Sequence, residues 1–138
     1  MALKFYLDTS IWMDLYEDRK GYSGECLGDF AWKLVSLIKA QRNKLVISDL
    51  LIRELESNYS IPEINGMIKL FENILEKIIT NKKQRDEAAN IAKERKLPPG
   101  DALHAILCRD YGLILITRDN DFRKLVDICP YHKPEEII

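Results

Sequence analysis

The sequence contains no apolar run of the length that a membrane-spanning helix needs, which is about 20 residues. After Met1 it also lacks the basic, long apolar and small-residue regions that make up a secretory signal peptide. Because both features are missing, we expect a cytoplasmic protein that does not associate with membranes.

Cysteine is scarce, and an excess of charge of either sign is absent. The chain has three cysteines, Cys26, Cys108 and Cys129, and none is close to another in sequence. An odd number of widely spaced cysteines argues against a disulfide framework and against a zinc ribbon. The 21 basic and 22 acidic side chains give a net charge of −1. Any binding of nucleic acid therefore requires a local basic patch, because no overall positive field attracts it.

The apolar content of the chain is sufficient for one hydrophobic core. Of the 138 residues, 46% are hydrophobic and 31% are charged, which excludes a disordered chain. No internal repeat, low-complexity tract or interdomain linker interrupts the sequence. We therefore predict a single domain over residues 1–138.

Short apolar strands alternate with helical patterns along the chain. Strands are predicted at residues 3–7, 44–48 and 113–117, and helices at 10–18, 26–41, 83–95 and 101–110. This alternation predicts an α/β protein with three layers, α/β/α, around a mainly parallel central sheet. A further helix is expected to start after Pro62 and to carry one apolar stripe from Ile64 to Ile78. The C-terminal "EEII" is expected to add an edge strand.

Acidic residues fall where the predicted strands end. Asp8 follows the first strand, and Asp119 follows the strand "LILIT" by two residues. Glu54 lies about one helical turn beyond the second strand, and Asp101 opens the helix that leads into "LILIT". Ligands of open parallel sheets bind beyond the carboxyl ends of the strands. We therefore expect these four acids to share one edge of the sheet, with Asp121 as a candidate fifth.

Each acid also has a simple structural explanation. Asp8 and Asp119 are placed to cap the helices that follow them, Asp101 is a normal first-turn acid, and Glu54 can be a solvated side chain. These separate roles explain less well why four acids would gather at one edge of the same sheet. Two carboxylates ~4 Å apart repel by roughly 4 kcal/mol at an effective dielectric of about 20. The group therefore needs protons or a cation among its members.

Carboxylates without imidazole or thiolate suit a hard divalent ion. We therefore expect Mg²⁺ or Mn²⁺ rather than zinc. An ion of this kind usually binds phosphate oxygens, polarises a phosphodiester and lowers the pKa of a bound water. The sequence thus points to metal-assisted hydrolysis of a phosphodiester.

Four segments stand in a characteristic order: "LDTSIW" at 7–12, "SDLLIRELES" at 48–57, "PPGDALHAILC" at 98–108 and "LITRDNDF" at 115–122. In order and spacing they resemble the PIN-domain ribonucleases, especially the VapC-type toxins of toxin–antitoxin pairs. The resemblance covers essentially the whole chain. It implies a doubly wound α/β/α fold and metal-dependent cleavage of single-stranded or structured RNA. It also implies a homodimer and an antitoxin protein that blocks the site.

The resemblance also implies roles for individual residues. The family's catalytic, metal-binding acids fall on Asp8, Glu54, Asp101 and Asp119, and Asp121 is expected to help through the water shell of the metal. The family's small hydroxyl residue falls on Ser10, with Thr9 as the alternative, and Thr117 matches a polar residue that lines the pocket. Many relatives are not toxins, so the broader expectation is a nuclease.

Two arginines and one histidine adjoin these acids. Arg118 and Arg123 flank the last acidic motif, and we expect them to contact phosphate. Asp101, His104 and Cys108 share one helical face, which is compatible with a zinc site. No fourth ligand has suitable spacing, so a core histidine and a buried thiol explain this face better.

Other functions fit the same length and alternation of elements. A receiver-like domain would have adjacent acids after its first strand, where Asp8 stands alone. A haloacid-dehalogenase phosphatase would have acids two positions apart, but position 10 is Ser10. The main alternative to a nuclease is a non-catalytic module that binds RNA or protein with a PIN-like fold.

Overall fold

The computed structural model describes residues 2–138. Its centre is a five-stranded sheet of β1 (Lys4–Leu7), β2 (Lys44–Ser48), β3 (Leu75–Ile78), β4 (Ile114–Ile116) and β5 (Tyr131–His132). The strand order is β3-β2-β1-β4-β5, and all neighbouring strands are parallel. The first strand therefore lies in the middle, where its carboxyl end meets those of β2 and β4.

Helices connect the strands. They are α1 (Thr9–Glu17), α2 (Leu27–Ala40), α3 (Asp49–Glu56), α4 (Ile61–Lys69), α5 (Lys82–Arg95), α6 (Pro99–Tyr111) and α7 (Pro134–Ile137). Short 3₁₀ helices occur at Glu72–Ile74 and Asn120–Leu125. Over residues 2–138, no helix combines the length and the apolar character that crossing a bilayer requires.

The two faces of the sheet carry separate hydrophobic layers. Successive side chains of a strand point to opposite faces. Phe5 and Leu7 accordingly pack with residues of α1, α2, α3 and α4, whereas Tyr6 packs with residues of α5 and α6. Helices thus cover both faces, and the predicted three-layer α/β/α architecture is confirmed.

Helix α6 is buried on all sides along most of its length. Every residue from Ala102 to Cys108 is buried, as expected for a helix that is apolar all round. The helix ends at Gly112, which adopts the left-handed conformation with φ of 65° that favours glycine at this position. Asp101 lies in its first turn and His104 in its buried centre.

Two predictions about local structure were wrong. The apolar stripe from Ile64 to Ile78 is not one helix, because α4 ends at Lys69 and Leu75–Ile78 forms the edge strand β3. The C-terminal "EEII" is not a strand: most of it belongs to α7, which begins at Pro134, and the edge strand on that side is Tyr131–His132. Proline is favoured in a first helical turn, so Pro134 is compatible with a helix start.

Candidate active site

Asp8 stands at the carboxyl end of the central strand. Its backbone N–H donates to the carbonyl of Ile116 in β4 at 3.0 Å, which continues the pairing of β1 with β4. Its carboxylate caps α1: Oδ1 accepts from the Ser10 hydroxyl at 2.6 Å and from the Ile11 N–H at 3.3 Å. The residue is only 6% exposed. Burial raises the pKa of Asp8, although hydrogen bonds from Ser10 and Thr117 act in the opposite direction.

Thr117 joins Asp8 to the acidic segment after β4. Its hydroxyl donates to Oδ2 of Asp8 and accepts the N–H of Asp119 at 3.0 Å. Oδ1 of Asp119 in turn accepts the N–H of Asp121 at 2.9 Å, so Asp119 caps the 3₁₀ helix that follows. The buried Thr117 side chain therefore fixes the first and the last acidic motif relative to each other.

Asp101 completes a cluster of three carboxylates. One oxygen of each of Asp101, Asp119 and Asp121 lies within 4.8 Å of the others. Within residues 2–138, Oδ2 of Asp101 is buried and has no hydrogen-bond partner. Burial and the neighbouring charges of Asp119, Asp8 and Asp121 raise the pKa of Asp101 to about 7, against a smaller opposite effect of His104. Negative charge at this position is therefore uncompensated.

Glu54 approaches the cluster from α3. Its Oε1 accepts from the Thr9 hydroxyl and lies 2.8 Å from Nε2 of His104. Its Oε2 lies over Gly100, where a Cβ atom would come within 2.6 Å of it. Burial raises the pKa of Glu54, but the hydrogen bond and the electrostatic effect of His104, together with the hydrogen bond from Thr9, keep the pKa below its usual value. Glu54 is therefore a carboxylate next to the helix turn that carries Asp101.

His104 is part of a buried hydrogen-bond chain. Its Nδ1 lies 2.7 Å from the Tyr6 hydroxyl, which lies 2.7 Å from the Ser48 hydroxyl. Both ring nitrogens of His104 are thus engaged, one with Tyr6 and one with Glu54. This leaves no nitrogen for a zinc ion, in agreement with the interpretation of His104 as a core histidine.

The two arginines predicted to contact phosphate have different surroundings. Nη1 of Arg118 donates to Oε2 of Glu135 at 2.9 Å, and Nη2 lies 2.7 Å from Oε1. Nε of Arg118 is 3.6 Å from the buried Asp14 carboxylate, and its guanidinium lies over the Phe30 ring. Arg123 is exposed on the 3₁₀ helix that begins beside Asp119. Arg123 is therefore exposed four residues after Asp119, whereas Arg118 is engaged within the protein.

The donor set fits a hard divalent cation. Three carboxylates meet, the Asp101 oxygen among them has no hydrogen-bond partner within residues 2–138, and such oxygen donors suit Mg²⁺ or Mn²⁺, which keeps water at its remaining positions. Asp8 is joined to this group through Thr117, and Glu54 borders it through Gly100. The acids expected at one edge of the sheet thus lie at the carboxyl ends of β1 and β4 and on the adjoining helices.

Sequence reasoning did not identify the residues that hold Glu54. The spacing of Asp101 and His104 places both on one face of α6, which was a usable signal for His104. Nothing in the sequence connects His104 with Tyr6 or Ser48, because these contacts bridge residues up to 98 positions apart. Gly100 gave no signal beyond its place in "PPGD".

Solved structures with the same fold are similar to this chain over nearly its whole length. PAE2754 from Pyrobaculum aerophilum aligns with a TM-score of 0.61 and 20% identity, covering 99% of this chain and 93% of that chain. A toxin–antitoxin complex from Klebsiella pneumoniae aligns with a TM-score of 0.62 and 18% identity, covering 94% and 97%. VapBC2 from Rickettsia felis, bound to a DNA fragment from its promoter, aligns with a TM-score of 0.64 and 20% identity, covering 94% and 96%.

The family assignment comes from the sequence itself. Among curated proteins, no sequence matches the chain significantly. The sequence model of the PIN domain family matches residues 5–128, which include every acid of the site described above. The chain therefore belongs to the PIN domain family.

Proposed function

We propose that the protein is an endoribonuclease that uses Mg²⁺ or Mn²⁺ to hydrolyse phosphodiester bonds in single-stranded or structured RNA. The observation that carries this proposal is the partnerless buried oxygen of Asp101 within a cluster of carboxylates. A cluster of this kind is unfavourable without a cation, and it lies at the sheet edge where α/β proteins bind ligands. Membership of the PIN domain family supports nuclease activity.

Asp101, Asp119 and Asp121, whose oxygens meet, would hold the ion, with Asp8 and Glu54 as the further proposed ligands. When bound, such an ion polarises a phosphodiester and lowers the pKa of a water molecule.

The other polar side chains orient this set and receive the substrate. Ser10 and Thr117 hold the Asp8 carboxylate through its two oxygens. Arg123 is placed to contact an RNA phosphate, and such contacts position a strand without reading its sequence. Arg118 contributes to binding only where a phosphate replaces Glu135 as its partner.

To test the proposed activity, end-labelled RNAs are incubated with the pure protein, with and without Mn²⁺, and the ends of the products are mapped. We expect cleavage by the wild type with Mn²⁺, and none by Asp8→Asn or Asp101→Asn, each of which removes one charge and keeps the side-chain volume. Asp86→Asn is the matched control, because Asp86 is exposed on α5 and pairs only with Lys82. Equal turnover by the wild type and both site variants would reject the proposal.

The same experiment separates the nuclease from a non-catalytic module. RNA binding by a metal-loaded protein, without cleavage of any RNA tested, would mean that the fold serves binding alone. The preparation has to be free of bound partner protein, since a partner that covers the site gives the same result.

The partners in this proposal are RNA, a second copy of the chain and an antitoxin protein, and the location is the cytoplasm. Support comes from the similar solved structures, of which one is a toxin–antitoxin complex and another is VapBC2 on promoter DNA. Co-expression with the product of a neighbouring small reading frame tests this part. We expect co-purification and loss of RNA cleavage in the complex, and sedimentation of the chain alone as a dimer.

A further inference from the structure

A buried histidine holds one of the acids of the site, and the proposed chemistry does not use it. His104 is 1% exposed, and its partners Tyr6 and Ser48 are both fully buried. The contacts run from Ser48 through Tyr6 and His104 to Glu54, with distances of 2.7, 2.7 and 2.8 Å. This chain joins three parts of the fold, β1, the start of α3 and the centre of α6.

The direction of the hydrogen bonds follows from the chemistry of the two ends. Glu54 is a carboxylate and only accepts, so Nε2 of His104 carries a proton and donates it to Oε1. In the neutral ring Nδ1 then accepts from the Tyr6 hydroxyl, and Tyr6 accepts from Ser48. The Ser48 oxygen receives the N–H of Leu51 at 3.0 Å as the cap of α3. In this arrangement each proton that Ser48, Tyr6 and His104 donate along this series of hydrogen bonds has one acceptor.

We propose that His104, held by Tyr6 and Ser48, is a positioning residue that fixes the Glu54 carboxylate at the metal-binding edge. The hydrogen bonds of His104 and Thr9 both go to Oε1 of Glu54, which leaves Oε2 over Gly100, next to Asp101. This inference rests on the proposed function, because it concerns the acids of the same site.

The hydrogen bond from His104 restricts the conformational freedom of the Glu54 side chain. A glutamate side chain is flexible, and without His104 only the Thr9 hydroxyl would hold Oε1, so the carboxylate could turn toward water. His104 itself cannot turn, because Tyr6 occupies its other nitrogen and the ring is enclosed in the core. Residues that orient a metal ligand in this way typically change metal affinity or activity by 10- to 100-fold when they are replaced.

The first test uses nuclear magnetic resonance on the metal-free protein with ¹⁵N-labelled histidine. We expect His104 to carry a proton on Nε2 at pH 8, and we expect Tyr6→Phe to change its ¹⁵N signals while His132 keeps its own. Tyr111→Phe, on the exposed end of the same helix, is the matched control and leaves the His104 signals unchanged. An Nε2 without a proton would overturn the proposal, because it could not donate to Glu54.

The second test measures Mn²⁺ affinity by calorimetry on protein freed of metal. We expect His104→Leu to weaken binding by about 10- to 100-fold. We expect a smaller loss with His104→Gln, which retains a donor of similar reach, and with Tyr6→Phe, which keeps the volume of the core. His132→Gln is the control, because the His132 side chain is 42% exposed and lies 3.9 Å from Glu136. Wild-type affinity in a folded His104→Leu protein would overturn the proposal.

These measurements separate the inference from the proposed function. If the wild type binds Mn²⁺ and His104→Leu binds it weakly, but no RNA is cleaved, the positioning role stands and the nuclease does not. If the wild type cleaves RNA and His104→Leu matches it in both binding and kcat, the nuclease stands and the positioning role does not. Circular dichroism of each variant shows whether it is folded before either conclusion is drawn.

Discussion

Gly100 lies where any side chain would meet the Glu54 carboxylate, since a Cβ there comes within 2.6 Å of Oε2. The contact is with the end of the Glu54 side chain and not with backbone, so the fold can adapt only by moving that carboxylate away from His104 and Thr9. Gly66 on α4 has open space around its Cβ position. The two glycines therefore differ in their surroundings while both are helical.

We expect Gly100→Ala to weaken Mn²⁺ binding and to change stability little, because moving the Glu54 carboxylate disturbs its hydrogen bonds with His104 and Thr9 and offsets the gain from alanine. Alanine in place of a helical glycine stabilises by about 0.5–1 kcal/mol, but here it displaces a proposed metal ligand. Gly66→Ala should stabilise by a similar amount and leave Mn²⁺ affinity unchanged. Thermal unfolding and calorimetry measure the two effects. Unchanged affinity in Gly100→Ala would show that the position of Oε2 does not matter for the ion.

Asp101 makes the stability of the metal-free protein depend on pH. Its pKa is raised from 3.8 to about 7 in the folded protein, so between these values the folded chain holds a proton that the unfolded chain has lost. The stabilisation from this group is complete below about pH 4 and is lost as the pH rises to about 7. Above pH 7 the Asp101 carboxylate is charged in the folded protein and repels the carboxylates of Asp119, Asp8 and Asp121.

We therefore expect Asp101→Asn to be more stable than the wild type at pH 8 in EDTA, and equally stable near pH 4. The expected gain at pH 8 is about 1–2 kcal/mol, reduced for screening of a partly exposed carboxyl. This corresponds to a rise in Tm of about 3–6 °C. Thermal unfolding at both pH values measures it. A less stable variant at pH 8 would mean that the Asp101 charge is compensated in the free protein.

At the scale of elements, Arg118 connects three helices around the end of β4. It pairs with Glu135 of α7 and lies 3.6 Å from Asp14 of α1, and its guanidinium lies over Phe30 of α2. Asp14 is 4% exposed, and burial raises its pKa against the effect of Arg118. Loss of the arginine would leave a buried carboxylate without its cation.

We expect Arg118→Met to lower the free energy of unfolding by about 2 kcal/mol, because breaking a buried ion pair leaves one charge unpaired. Adding Asp14→Asn should restore part of this loss. Arg95→Met is the control, since Arg95 pairs with the exposed Asp127 and such surface pairs contribute about 1 kcal/mol or less. Urea unfolding measures all three. An equal cost for Arg118→Met and Arg95→Met would contradict the role of Arg118 as a buried connector.

The elements that could be predicted from sequence are those with an apolar run that charged residues do not interrupt, unlike the sequence LEKI of β3. The strands before Asp8, Asp49 and Thr117 are continuous apolar runs, and their ends placed the acids at one edge of the sheet. Strand β3 has four residues, half-buried at the edge, and its apolar side chains continue the spacing of α4. No glycine or proline separates Met67 from Leu75, so the sequence carries no mark of the change from helix to strand.

The acidic residues of the candidate site could be predicted from sequence, but the residues that hold them in place could not. The position of an acid at the end of a strand is fixed by the sheet, so predicting the strand also predicts where the acid lies. The partner of a side chain such as His104 depends on how α6 packs on β1, which brings it to Tyr6 and Glu54. Packing of this kind is set by the whole core, so local patterns do not report it.

At the scale of the whole molecule, an ion bound at the acidic edge would add a further link between elements that the sheet and side-chain hydrogen bonds already join. Its proposed ligands come from β1, α3, α6 and the segment after β4. A ligand that binds only the folded chain stabilises it in proportion to the logarithm of its concentration.

We expect Mn²⁺ to raise the Tm of the wild type in a concentration-dependent way, because it raises the free energy of unfolding by about 2.7 kcal/mol at 100 times its Kd. Asp101→Asn should show a much smaller rise, and Asp86→Asn the same rise as the wild type. Scanning calorimetry over a series of Mn²⁺ concentrations tests this. An equal shift in the wild type and Asp101→Asn would place the ion elsewhere on the protein.

The central position of the first strand has a consequence for synthesis. Asp8 leaves the ribosome before its neighbours Thr117 and Asp119, since Thr117 follows it by 109 residues, and β4 has to dock beside β1 before they meet. A nascent chain that has not reached β4 therefore carries the first acid without the last. We therefore expect the proposed RNA-cleaving centre to remain incomplete until β4 has been translated and has docked beside β1.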